Sequence, residues 1–203
     1  NNAVKYGDTI SLTVGYRGGA SSRAGYAVSK NEELSQVAIN YLDELAIPYF
    51  SAYVHWLEKI AIGMSGGRLF EEIDAILPRS KYHWSLCPGH LVAEEEWMSS
   101  PIYESSQEKL LSGMILQIDI ITSLPGFGGV SAESTVLLAD EQLKLNIQSQ
   151  YPDLWQRMQK RRDYIIETLG INLSPDILPM CSTVAYLRPY LLDKENAFSC
   201  QKQ

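Results

Sequence analysis

Positive charge is in short supply in this 203-residue chain: 17 Lys and Arg stand against 24 Asp and Glu, a formal net charge of −7. A general nucleic-acid surface needs clustered positive charge, so this balance argues against one. The single basic cluster, Arg157 with Lys160, Arg161 and Arg162, recurs at helical spacing and reads as the solvated face of a helix. Cysteine is sparse as well. Cys87, Cys181 and Cys200 are odd in number, widely spaced and form no CxxC pair. That pattern fits reduced thiols in a cytoplasmic protein rather than a disulfide framework or a zinc finger. No apolar run approaches the ~20 residues of a membrane-spanning helix, and the first residues lack a basic-then-apolar secretion signal. Neither nucleic acid nor a membrane is therefore expected as a partner. An initiator methionine is missing too: the chain opens at Asn1, almost directly on a strand, which reads as a chain trimmed at its N-terminus.

With 45% hydrophobic residues the chain is long enough for one sizeable core, and a single domain over 1–203 is expected. "TISLTVGY" alternates apolar and polar residues, and with "ASSRAGYAVS" after Gly18 and Gly19 it reads as a β-hairpin. Ser29 with Glu32 has the form of a capping box. The stripe Leu34, Val37, Ala38, Tyr41, Leu42 and Leu45 predicts a helix, which Pro48 stops or kinks. A second helix buries Phe50, Tyr53, Val54, Leu57 and Ile60 and ends at Gly63, and a third follows Gly66 and Gly67. His55 lies within this stretch and reads as a packing or surface histidine. From residue 82 the period changes to two. "YHWSLC", "GMILQIDII" and "ESTVLLAD" read as strands, followed by two helices and a proline-rich tail that wraps the surface. Hairpin, helices, three strands, helices: the order predicts an α+β fold on a curved, mostly antiparallel sheet.

Candidate chemistry centres on two places. In "PGHLVAEEEW" His90 precedes Glu94, Glu95 and Glu96, which is compatible with a hydrolytic metal centre or with acids on a solvated loop. In the strand Met114 to Ile121 one face is wholly apolar, while Gln117 and Asp119 share the other with Ile115 and Ile121. An acid so placed is costly to bury unless paired, hydrogen-bonded or bound to metal. Glu133 opens the next strand, near enough to sit beside Asp119 across the ladder. Two carboxylates and a histidine on one sheet face make a candidate site. A buried hydrogen-bonding network without chemistry would produce the same spacing.

Four segments taken together resemble the pita-bread family of methionine aminopeptidase, prolidase, aminopeptidase P and creatinase. They are "GDTISLTVGYRGG", "PGHL", "SGMILQIDII" and "ESTVLLADE", in that family's order and at its separations over residues 7–140. The resemblance implies the pita-bread fold, with helices on the outer face of the sheet and a homodimer as the default assembly. Active peptidases of this family hold two divalent metals with two aspartates, one histidine and two glutamates, which activate a bridging water.

Carried over position by position, the histidine falls on His90, the glutamates on Asp119 and Glu133, and the two aspartates on Thr13 and Ala24. Neither of the last two can replace a carboxylate, and no acid lies between Asp8 and Glu32 to restore them by a shift of register. The family's second histidine falls on Trp97, and Glu94, Glu95 and Glu96 match no ligand position. The expectation is a peptidase-like domain without the dinuclear centre, non-catalytic or repurposed to bind a small peptide or small molecule in its cleft. No cofactor is expected beyond at most a single Zn²⁺ or Mn²⁺ on His90, Asp119 and Glu133. The alternative is a hydrolase, either a mononuclear enzyme acting on X-Pro peptides or a metal-independent C–N hydrolase of the creatinase type. His90 and Glu133 would then be catalytic, with Asp119 and Trp97 binding substrate.

Overall fold

In the computed structural model, residues 3–16, 19–85, 87–92 and 99–201 are described, Tyr16 by its backbone alone. The hairpin forms as its alternation predicts. Strand β1 (Thr9–Tyr16) pairs antiparallel with β2 (Gly19–Tyr26) up to Tyr16 opposite Gly19, while Gly18 lies outside the described residues.

The helix predicted from Leu34 does not form as such. Ala38 and Tyr41 bond three residues back, to Ser35 and Ala38, so the chain advances by tight turns. Leu34, Ala38, Tyr41 and Leu45 still reach the core, but Val37 is 73% exposed. The reach-back carboxylate at this start is Glu33, not Glu32, and it accepts from the amides of Ser29 and Lys30. Pro48 does not end a helix. A π turn at Leu42–Ala46 widens the backbone ahead of it and runs on into α1 (Ile47–Lys59). A proline ring clashes with the carbonyl four residues back, and a widened turn relieves that clash.

Helix α2 (Gly66–Ile76) is capped by Ser65, whose hydroxyl accepts from the Arg68 amide. Its opening glycines let residues 101–106 come close. A Cβ at Gly66 would stand 1.8 Å from the Pro101 carbonyl oxygen. Tyr82 to Ser85, the described start of "YHWSLC", do not form a strand either. Tyr82 ends the short α3 (Arg79–Tyr82), His83 takes a left-handed φ of 48°, and Trp84 Nε1 donates to the Leu77 carbonyl at 2.6 Å. Its alternation came from two buried aromatics, Tyr82 and Trp84, around an exposed His83.

Strands β3 (His90–Leu91), β4 (Ile115–Ile118) and β5 (Ser131–Leu138) complete the main path, in the order β1-β2-β5-β4-β3, every pair antiparallel. The tail holds a surprise. Residues Ile177–Pro179 form β6, wholly buried, which pairs with the C-terminal half of β5. Since β4 occupies one edge of β5, β2 and β6 share the other, one at each end. Arg23, on β2, ties this edge to the segment after β6, donating to the carbonyls of Ser22, Glu133, Thr183 and Tyr186 and to the Ser134 hydroxyl.

The main core lies between the sheet and α1 and α2. Tyr49, Tyr53, Trp56 and Leu57 pack with Leu116, Ile118, Ile120 and Val136, the face predicted to be apolar. Helices α4 (Glu141–Gln150) and α5 (Pro152–Asp163) pack on the other face, where Ile147 and Met158 meet Leu137, Leu178 and Ile115. The basic face of α5 is only half solvated. Arg161 and Arg162 turn inward to the carbonyls of Pro179, Ser174 and Ile177, which anchors β6. All three cysteines are free thiols. Among the described residues no helix is long and apolar enough to cross a membrane.

Candidate functional site

His90 enters the site because Gly89 brings its strand unusually close to β4. Gly89 has φ +149°, and a Cβ there would lie 2.9 Å from the Gln117 carbonyl oxygen. His90 then sits opposite Gln117, and its Nδ1 donates to the Leu91 carbonyl at 3.0 Å. That bond places the proton on Nδ1 and leaves Nε2 as the lone-pair nitrogen of the neutral ring. Nε2 is buried, has no hydrogen-bond partner and stands 3.6 Å from Asp119 Oδ2.

The β4–β5 register pairs Ile118 with Ser134 and, continued by one residue, brings Asp119 alongside Glu133. Donor atoms of His90, Asp119 and Glu133 all lie within 4.8 Å of one another. The three residues expected to meet do so. Burial disfavours a charged imidazole, but the Asp119 carboxylate, the Leu91 carbonyl and Glu133 outweigh it. His90 therefore holds a proton above the ordinary imidazole value.

A residue that sequence reasoning placed on this face without assigning it a role also takes part. Gln117 is fully buried and its amide nitrogen donates to Glu133 Oε1 at 2.8 Å. The available signal was its position two residues before Asp119 on the same face.

Opposite Asp119 and Glu133 the wall is neutral. Ser11, Thr13, Ser22 and Ala24 project from β1 and β2 into a cleft of about 400 Å³ that Asp119 and Glu133 also line. Thr13 and Ser22 bond to each other through their hydroxyls at 2.9 Å. The residues therefore fit one divalent cation and do not fit two. Trp97 and Glu94, Glu95 and Glu96 lie outside the described residues. His55 is far from this chemistry in role: its Nε2 bonds Glu72 at 2.8 Å and ties α1 to α2.

No protein-family model matches the chain, and no curated protein matches it in sequence. Solved structures do. It is similar to the prolidase from Pyrococcus furiosus, at 22% identity and a TM-score of 0.53 over 68% of this chain and 40% of that one. The prolidase from Pyrococcus horikoshii OT3 matches at 20% identity and a TM-score of 0.53, over 68% and 39%. The Xaa-Pro dipeptidase from Bacillus anthracis matches at 19% and 0.51, over 68% and 38%. The chain thus spans about two fifths of the length of these proteins, and it has their pita-bread fold.

Proposed function

We propose that this is a peptidase-like domain without the dinuclear centre, and that its cleft binds a small peptide or small molecule rather than hydrolysing X-Pro bonds. One observation carries the reading: the hydroxyl pair of Thr13 and Ser22, with Ala24 beside it, forms an uncharged wall facing Asp119 and Glu133. Two metals a few ångströms apart need carboxylates on both sides. The net charge of −7 supports a small-molecule or peptide ligand over nucleic acid. The test is turnover of a panel of X-Pro dipeptides by the purified full-length protein with added Mn²⁺, Zn²⁺ or Co²⁺. No cleavage above the uncatalysed rate is expected, whereas robust metal-dependent cleavage overturns the proposal.

The convergence of His90, Asp119 and Glu133 within 4.8 Å favours a second reading, in which this corner holds a single divalent cation. Ligands of one Zn²⁺ at bond lengths near 2.1 Å lie roughly 3.4 Å apart, close to the 3.6 Å between Nε2 and Oδ2. A cation there would supply Lewis-acid polarisation of a ligand carbonyl. In the metal-free alternative, of the creatinase type, His90 and Glu133 would instead be the proton-handling groups, and Asp119 would hold the substrate. Chelator sensitivity separates the cation reading from this creatinase-like hydrolase, in which Glu133→Ala abolishes turnover and a chelator leaves it intact.

A further inference from the structure

His90 and Gln117 face each other on β3 and β4, 1% and 0% exposed. Each keeps one buried polar atom without a partner, Nε2 of His90 and Oε1 of Gln117. The other half of each group is already committed, Nδ1 to the Leu91 carbonyl and the amide nitrogen to Glu133. Those bonds decide the chemistry of what is left. An ionised carboxylate cannot donate, so the Gln117 nitrogen faces Glu133 and its oxygen is the end left without a partner. With the imidazole neutral, the remaining His90 Nε2 and Gln117 Oε1 are both acceptors, and unmatched buried acceptors are costly. At 3.6 Å the His90–Asp119 separation is also too long for a charge-assisted hydrogen bond. A single cation satisfies such a cluster by taking lone pairs from several acceptors at once.

We infer that Gln117 completes a mononuclear divalent-cation site, its Oε1 acting as a fourth ligand beside His90 Nε2, Asp119 and Glu133, while its amide nitrogen orients Glu133. The inference rests on the single-cation reading above. One imidazole nitrogen and three oxygens suit Mn²⁺ or Zn²⁺, and two carboxylates neutralise one dication. No further carboxylate stands on the β1–β2 wall of the cleft to support a second. The amide that holds Glu133 is the kind of outer contact that fixes a ligand's direction in metal sites. Here the same side chain supplies both functions, one through each end of its amide.

Calorimetric titration of the metal-stripped full chain with Mn²⁺, and separately with Zn²⁺, tests this. The wild type is expected to bind one cation per chain. Gln117→Met keeps the shape and removes both polar atoms, so affinity should fall about 10- to 100-fold. Gln117→Glu keeps an oxygen but sets a like charge beside Glu133. Its melting temperature should therefore rise more on saturation with Mn²⁺ than that of the wild type. Wild-type affinity in a folded Gln117→Met protein overturns the role of Gln117 and leaves the single-cation reading standing. An equal or smaller Mn²⁺-induced rise in Gln117→Glu does the same, even where Gln117→Met does not fold. Absence of any binding to the wild type up to millimolar cation overturns both.

Discussion

The hydroxyls of Thr13 and Ser22 meet at 2.9 Å across β1 and β2, closing with a neutral hydrogen bond the side of the cleft that faces Asp119 and Glu133. Charge can be put back there without disturbing the core, because Thr13 is exposed and Ala24 borders open cleft. The double variant Thr13→Asp with Ala24→Asp should bind one more divalent cation per chain than the wild type. Metal content after dialysis against Mn²⁺ checks this, and an unchanged stoichiometry would refute the view that these two positions set the number of metals. Thr13→Asp alone should change stability by less than about 0.5 kcal/mol, as surface substitutions usually do.

Arg23 ties β2 and β5 to the segment that follows β6. Its guanidinium donates to the backbone carbonyls of Ser22, Glu133, Thr183 and Tyr186 and to the Ser134 hydroxyl. Arg23→Ala should destabilise the fold by roughly 3 kcal/mol, because several partly buried carbonyls lose a charged donor together. Arg23→Lys should recover little of this, since one ammonium cannot span the planar array. Urea denaturation of the three proteins distinguishes the cases.

Gly89→Ala should be destabilising by about 2 kcal/mol, through positive φ and a Cβ driven against the Gln117 carbonyl. The displaced strand also carries His90 away from Asp119. Cation affinity should therefore fall with stability, whereas Arg23→Ala, which contacts neither His90 nor Asp119 and meets Glu133 only at its backbone carbonyl, should lower stability with a smaller effect on cation affinity. Thermal melts paired with Mn²⁺ titrations test that separation.

The Glu72 carboxyl is held below its ordinary value, first by its hydrogen bond with His55. A carboxyl depressed in the folded state contributes stability that is fully present above its unfolded value of 4.5 and is lost as pH falls through the lower folded value. The stability difference between wild type and His55→Ala should thus shrink as pH falls below about 4.5. Denaturation midpoints below that value measure it, and a difference that grows there would contradict the assignment.

The elements legible in advance were those whose own residues repeat at their own period. The β1–β2 alternation, the stripes of α1 and α2, and the apolar face Met114–Leu116–Ile118–Ile120 all follow from local spacing. The meeting of Asp119 with Glu133 was legible for the same reason, because period two and a short connection leave little choice of register. Local spacing misled where burial mimicked a period. Tyr82 and Trp84 alternate with His83 because each aromatic is anchored separately, and a left-handed residue between them rules out a strand.

Sequence alone therefore determined the curved α+β sheet, the positions of His90, Asp119 and Glu133, and the absence of charge at Thr13 and Ala24. These depend on residue identity and on short-range order along the chain. Only the tertiary structure decided that residues 177–179 enter the sheet, that Arg23 ties β2 and β5 to the segment that follows β6, and that Gln117 turns one end of its amide to Glu133. Each of those depends on which carbonyls and carboxylates remain unpaired once distant strands have met. Periodicity carries no record of that; it emerges when buried polar groups must find partners or be left without them.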